Sequence, residues 1–420
     1  MELYALTIEE EKKYGREIYR EIAASATINN DPYITMYFDG IKKRLEGSAN
    51  LSFPIALTII ESNTVEAFAT IGGYVYLTTG LIGMCDDEEE VAGVMAHEFA
   101  HIAKRHIAKR LEKEKFINIG MLATLIAGML IPDPRAKETI LATGSASAMA
   151  MSLKYSREDE DEADRTGAYI ADKSGYGGLG TAKFLKKLRT GSGDKVLPQY
   201  LLTHPYHEER IVKIERAWAG SESRIEGAFF PYLKVRIKVL HAPFTEGMRD
   251  AWKKRYIRDS NDPLAQYGMS LADSLAGNTG DAVRIAKEIN SPFRNLLLGE
   301  ILVNCREYKD AIDLLQDEKS PVSRFFLAKA YEGYGDRREA LDILNELLQY
   351  GRIYPEIYYR YGMLKGRSGD QGAGYEYLGR YYLETGREDL ARSNLEKAVL
   401  KYGINSHEAA EILKLLDPKK

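Results

Sequence analysis

The sequence predicts a mainly α chain in two parts: an α+β domain with a small edge sheet over residues 1–222, then an α-helical repeat solenoid over residues 223–420. Three observations carry this. A β-branched and aromatic run, Ala67 to Thr78, bends at Gly72-Gly73 and reads as a strand or hairpin. A segment with apolar residues at helical spacing follows it, from about residue 87 to 115. From about residue 225 helical pairs recur with repeated turn signals. At 420 residues the chain can build two separate cores.

The helix at 87–115 carries the chemistry. Asp86 reads as its N-cap, with Glu89 three residues on as in a capping box, and Asp87 to Glu90 put negative charge on the positive end of the helix dipole. Lys109, Arg110, Lys113 and Lys115 gather toward the other end, while Val91, Val94, Met95, Phe99 and Ile102 form an apolar face. Mid-helix stands His97-Glu98-Phe99-Ala100-His101. Histidines four apart share a helix face, so two imidazoles can reach one zinc ion while Glu98 projects toward a water beside it. That is the layout of a zinc metalloprotease. His106, nine residues after His97, falls on the opposite face and reads as solvent-exposed or structural.

A catalytic zinc takes three protein ligands and keeps a position for water, so one more acidic or histidine ligand is expected. The metzincin pattern is excluded, because Lys104 and Ile107 stand where it needs Gly and His. Glu112, on the same helix, would lie about 16 Å along the axis from His101, too far to share an ion. The first dense acidic cluster, Ser156-Arg157-Glu158-Asp159-Glu160-Asp161-Glu162-Ala163-Asp164, opens a helix read over about 157–174. Glu160 and Asp164 share a face there, so Glu160 is taken as the third ligand and Asp164 as a carboxylate that orients a ligand histidine. A solvated N-terminal turn is the competing reading, and spacing leaves both open.

The combination of HEFAH, an apolar stretch and SREDEDEADRTG closely resembles the zinc metallopeptidase family of the CAAX prenyl proteases and HtpX, and within it the BepA type with C-terminal tetratricopeptide repeats. The resemblance implies a zincin-like (gluzincin) fold. It makes Glu160 the third zinc ligand and Asp164 the partner of a histidine ligand. It also implies that His204, in Thr203-His204-Pro205, lies near the metal, either polarising the developing oxyanion or serving as a removable fourth ligand. Arg210, six residues on, would sit close to the substrate or the tetrahedral intermediate. One Zn2+ per chain, held by His97, His101 and Glu160, would then acidify a water whose proton Glu98 takes and returns to the leaving amine.

Between the motifs, Phe116 to Ile131 is a sixteen-residue stretch with Asn118 and Thr124 as its only polar residues, and a small-residue run, Thr139 to Leu153, follows. At about 1.5 Å per residue the first covers roughly 24 Å, short of a ~30 Å hydrocarbon core, so the expectation over 116–153 is a buried helical hairpin with at most peripheral membrane contact. A net charge of −4 leaves no footprint for nucleic acid, and two cysteines, Cys85 and Cys305, imply no disulfide framework. The polar start through Lys13 lacks the charged and apolar segments of a signal peptide. A native Met1 therefore implies the cytoplasm; a removed signal peptide implies the periplasm or cell envelope of a bacterium, which the resemblance favours.

In the second part, turn signals stand at Gly280-Asp281, Arg306-Glu307, Gly335-Asp336, Gly369-Asp370 and Gly386-Arg387, with Ala311, Ala340 and Ala391 shortly after three of them. Phe325 to Leu348 is close to a tetratricopeptide repeat. Stacked helix pairs of this kind present a concave face to extended segments or partner proteins. The resulting expectation is a zinc endopeptidase acting on protein substrates, with repeats that recruit a substrate or partner, by resemblance the outer-membrane assembly machinery. The alternative is a latent protease that works mainly as a chaperone or scaffold. An integral-membrane or prenyl-protein protease is disfavoured by the short apolar run and the repeats.

Overall fold

A computed structural model describes residues 6–113, 126, 128, 154–191, 200–205, 207–241 and 246–416. The apolar hairpin expected over 116–153 lies outside them apart from Ile126 and Gly128. Among the described residues no helix is long and apolar enough to cross a membrane. The chain divides into two compact units, residues 1–29 with 37–237 and residues 30–36 with 238–420.

The first unit is α+β. The described elements through Leu240 are α1 (Ile8–Ser25), α2 (Pro32–Glu46), β1 (Ala56–Ile60), β2 (Ala67–Thr70), β3 (Tyr74–Thr78), α3 (Thr79–Met84), α4 (Glu88–Ala103), α5 (His106–Lys113), α6 (Arg157–Lys173), α7 (Gly180–Gly191), α8 (Tyr200–Thr203), α9 (Glu208–Ala217) and α10 (Phe230–Leu240), with the start of α2 and the end of α10 counted in the second unit. The sheet runs β1-β3-β2, with β1 parallel and β2 antiparallel to β3. Thr70 pairs with Tyr74, so the hairpin loop is Ile71-Gly72-Gly73, and both glycines adopt a left-handed φ, 84° and 87°. A Cβ on Gly72 would fall 2.6 Å from the Glu11 carbonyl oxygen, so α1 packs on this bend by backbone approach.

Helix α4 is the centre of the unit, buried from Glu88 to Ile102. Its cap lies one residue later than the sequence implies: Asp87 accepts from the Glu90 N–H at 2.9 Å, and Glu90 Oε2 accepts from the Asp86 N–H at 2.8 Å. Such a cap contributes about 1 kcal/mol. The acidic run is paired as well as capping, since Lys183 and Lys187 of α7 each lie 2.6 Å from Glu89 and Glu90 respectively. Helices α6 and α7 cross α4 at glycines. A Cβ on Gly167 would meet His97 Cα at 2.8 Å, and one on Gly180 would meet the Glu89 carbonyl oxygen at 2.1 Å.

The helix expected to run unbroken from 87 to 115 is two helices. Arg105 takes φ 55° and ends α4, and α5 starts at His106. A left-handed arginine costs roughly 1–2 kcal/mol. It is offset by the guanidinium, which donates to Glu11 Oε1 at 2.8 Å and to the Leu6 carbonyl at 2.7 Å.

The second unit is helical. After α11 (Glu246–Arg258) come α12 (Pro263–Leu275), α13 (Thr279–Lys287), α14 (Arg294–Asn304), α15 (Tyr308–Leu315), α16 (Pro321–Tyr334), α17 (Arg337–Leu347), α18 (Glu356–Arg367), α19 (Gln371–Glu384), α20 (Glu388–Tyr402) and α21 (His407–Leu416). Each helix packs on its sequence neighbour, and α14 packs on both α12 and α16, the nearest-neighbour pattern of a repeat solenoid. Turns between successive helices use a left-handed residue at Gly277, Arg306, Gly335, Gly369 and Gly386. The first lies three residues before the Gly280 signal, which falls inside α13. The fifth residue after each is small: Ala282, Ala311, Ala340, Gly374 and Ala391. The four alanines are fully buried, because the second helix of the pair must close on the first at that point.

Candidate metal centre

Ser156 opens α6 with a reciprocal capping box to Asp159, and this register turns Glu160 and Asp164 inward while Glu158 stays exposed. The same helix therefore begins as a solvated turn and becomes part of a buried site. Helix α4 supplies His97, Glu98 and His101 from the opposite side. His204 follows the short helix α8, which is anchored by the Tyr200 N–H donating to the Val65 carbonyl and by the Tyr155 N–H donating to the Thr203 carbonyl, both at 3.2 Å.

His97, His101, Glu160 and His204 bring one donor atom each within 4.8 Å of one another, all fully buried. His97 Nε2 lies 3.0 Å from His101 Nε2 and 3.3 Å from His204 Nδ1. Glu160 Oε1 lies 3.0 Å from His204 Nδ1 and 3.5 Å from His101 Nε2. Glu98 stands alongside, Oε1 3.5 Å from His204 Nε2, and neither of its oxygens has a hydrogen-bond partner among the described residues.

Behind this group, Asp164 Oδ1 lies 3.0 Å from His97 Nδ1. A proton on Nδ1 would face this carboxylate, which only accepts, and would leave a lone pair on Nε2 turned toward the cluster. Arg210 donates to Asp164 through Nε and Nη2 and to the Pro205 carbonyl through Nη1, which also lies 2.5 Å from Glu160 Oε2. The resemblance set Arg210 close to substrate. Here it is 2 % exposed and its guanidinium is taken up by these three groups.

Electrostatics separate the carboxylates. Burial pushes the Glu98 carboxyl up to about 8, opposed by His97 and reinforced by Glu160. Burial also works upward on Glu160 and Asp164. There the neighbouring His204 and the Arg210 guanidinium hold Glu160 well below the usual range, and Arg210 holds Asp164 down to about 2. Burial likewise pushes His101 far down, keeping it neutral.

Three imidazoles and one anionic carboxylate, packed out of water with lone pairs converging, fit a divalent cation of the zinc type. Without positive charge between them the acceptors would repel.

Two residues that the sequence reading left out, Tyr155 and Tyr200, and one that it set on the opposite face, His106, also belong here. Tyr155 stacks on His101 with centroids 3.8 Å apart, and Tyr200 stacks on His204 at 4.5 Å. Tyr200 was legible in principle, four residues before His204 on one turn. His106 was expected to be exposed or structural; it is 3 % exposed and its Nδ1 lies 2.9 Å from His101 Nδ1. The break at Arg105 swings it back, and nothing in Lys104-Arg105 signals that break.

Residues 35–217 match the family described as peptidase family M48. Beta-barrel assembly-enhancing protease of Escherichia coli (strain K12) is 27 % identical over 362 residues, covering 81 % of this chain and 73 % of that protein. A putative beta-barrel assembly-enhancing protease of Vibrio cholerae is 33 % identical over 237 residues, 55 % of this chain and 46 % of its own length. Mitochondrial metalloendopeptidase OMA1 of Schizosaccharomyces pombe is 26 % identical over 216 residues, 50 % of this chain and 61 % of its own.

Proposed function

We propose that the chain is a metalloendopeptidase of the kind its residues 35–217 match, peptidase family M48, and that it hydrolyses peptide bonds of protein substrates with one zinc ion per chain held by His97, His101 and Glu160. The observation that carries this reading is the buried convergence of those donors beside the unpartnered carboxylate of Glu98.

Zinc held there by His97, His101 and Glu160 would supply Lewis acidity toward the scissile carbonyl and a water. Glu98 accepts the proton of the attacking water and delivers it to the leaving amine. Buried beside the donor cluster, its carboxylate is placed for both directions of transfer. Asp164 holds His97 in the tautomer that offers Nε2 inward. Arg210 acts through Asp164 and Glu160, as a positioning residue that keeps both carboxylates ionised.

His204 is read as a fourth donor that closes the site at rest. Its Nδ1 lies within the cluster, its ring is pinned by Tyr200, and the whole group is sealed from solvent. This favours a latent protease, in which moving His204 aside opens the position a water needs. The names of the bacterial relatives support a role in envelope protein quality control or outer-membrane assembly, in the periplasm, with the helical repeats recruiting substrate or partner.

Zinc content and casein cleavage of the parent, Glu98→Gln and His204→Ala test this. One zinc per chain, little cleavage by the parent, release of activity in His204→Ala and none in Glu98→Gln are expected. A parent that cannot be loaded with zinc would falsify the reading.

A further inference from the structure

His101 is gripped on the side away from the donor cluster. Its Nε2 faces His97 and Glu160, and its Nδ1 lies 2.9 Å from Nδ1 of His106. The other nitrogen of His106, Nε2, lies 3.1 Å from Glu162 Oε2 and 3.7 Å from Asp159 Oδ1. Lys104 Nζ holds the far oxygen of Glu162 at 3.1 Å.

These contacts dictate where the protons sit. Glu162 accepts only, so His106 carries a proton on Nε2 and donates it outward. The neutral ring then has its lone pair on Nδ1, which accepts from the Nδ1–H of His101. His101 is left with a lone pair on Nε2, the atom turned into the cluster.

We propose that His106 and Glu162 form a relay that fixes His101 as its Nδ1–H tautomer, making His106 a positioning residue for the metal centre. The inference rests on the metallopeptidase reading of that centre. The two histidines of the motif are thus set by unlike devices. His97 faces a buried carboxylate directly, while His101 leans on a neutral imidazole that ends at a carboxylate whose side chain is 38 % exposed. The break between α4 and α5 makes the relay geometrically possible. On an unbroken helix His106 would stand roughly 140° round the axis from His101. The left-handed Arg105, pinned by Glu11 and the Leu6 carbonyl, returns the ring to His101 instead.

The test uses the full chain with His106→Leu, His106→Gln and Glu162→Ala. Two quantities are read: zinc affinity by competition with a chelator, and the His101 tautomer by nitrogen-15 NMR of metal-free protein. His106→Leu is expected to weaken zinc binding about 10–100-fold and to mix the His101 tautomers. His106→Gln, whose amide oxygen can accept from Nδ1–H, is expected to recover most of both, and Glu162→Ala to show a smaller loss of each. Unchanged zinc affinity and tautomer in His106→Leu would overturn the relay. So would equal zinc loss in the Leu and Gln variants with the tautomer intact, which marks packing alone. If His106→Leu does not fold, a parent-like affinity and tautomer in Glu162→Ala overturns the proposal. A parent that binds no zinc sinks the metallopeptidase reading instead, and the metal-free tautomer still decides the relay.

Discussion

Arg210 closes a fork on Asp164, Nε to Oδ2 at 2.7 Å and Nη2 to Oδ1 at 2.8 Å, while that same Oδ1 lies 3.0 Å from Nδ1 of His97. One buried carboxylate therefore links the guanidinium on α9 to the imidazole on α4. Asp164 can orient His97 only as long as it stays ionised, and Arg210 is what keeps it so.

Removing the cation should therefore cost more than a surface arginine would. Arg210→Met leaves Asp164 and Glu160 buried without their main positive partner. Breaking such a pair costs about 3–5 kcal/mol, and weakened orientation of His97 should reduce zinc affinity about 10–100-fold. Urea unfolding and chelator competition measure the two effects. A variant within about 1 kcal/mol of the parent would show that the fork contributes little.

The pH dependence follows from Asp164. Burial alone would raise its carboxyl, but Arg210 outweighs burial and holds it down to about 2, against about 3.9 in an unfolded chain. A depressed carboxylate contributes stability that is complete above the unfolded value and is lost as pH falls through it toward 2, because the unfolded chain takes up the proton first. The contribution is on the order of 2 kcal/mol. In metal-free protein, unfolding free energy should fall between about pH 4 and 2, and Asp164→Asn should be less stable at pH 5 with a shallower slope.

Gly167→Ala probes the crossing of α6 on α4. Alanine favours a helix over glycine by about 1 kcal/mol, so intrinsic propensity predicts stabilisation. The new Cβ would lie 2.8 Å from His97 Cα and 2.9 Å from its backbone nitrogen, groups that cannot swing aside. Overpacking of this kind costs about 1–3 kcal/mol, so a net loss of stability is expected, together with weaker zinc binding as the His97 backbone shifts. A rise in melting temperature would mean the helices can separate freely.

In the repeats the sign reverses. Arg306 holds φ 64° at a turn where the corresponding residues are Gly277, Gly335, Gly369 and Gly386. A left-handed non-glycine residue costs roughly 1–2 kcal/mol, more than the extra unfolded-state freedom of glycine, roughly 0.4–1 kcal/mol. Arg306→Gly is expected to stabilise the chain slightly. Thermal unfolding with no gain or a loss would mean that the arginine side chain offsets the strain.

Much of this was legible because it is local. Helical spacing alone sets His97 and His101 on one face, and Glu160 and Asp164 on another. The Gly72-Gly73 bend announces the hairpin, and the small residues after each repeat turn announce where paired helices close. The misplacements were local too: the α4 cap falls on Asp87 instead of Asp86, and the first repeat turn falls at Gly277, because neighbouring residues offer nearly equivalent caps and turns.

What the sequence by itself determined is the chemical inventory and its register on single helices: two imidazoles and a carboxyl on one, two carboxylates sharing a face on another, and a chain of helix pairs later in the sequence. Only tertiary structure decided which groups converge. His204 arrives from a short helix whose anchors are the Val65 carbonyl and the Tyr155 N–H, both remote in sequence. Arg210 turns inward because Asp164 and Glu160 are buried there and need a cation. His106 reaches His101 because the N-terminal helix pins Arg105 in a conformation that no propensity scale favours. Each of these is set by long-range burial and charge pairing, and spacing along the chain carries no record of them.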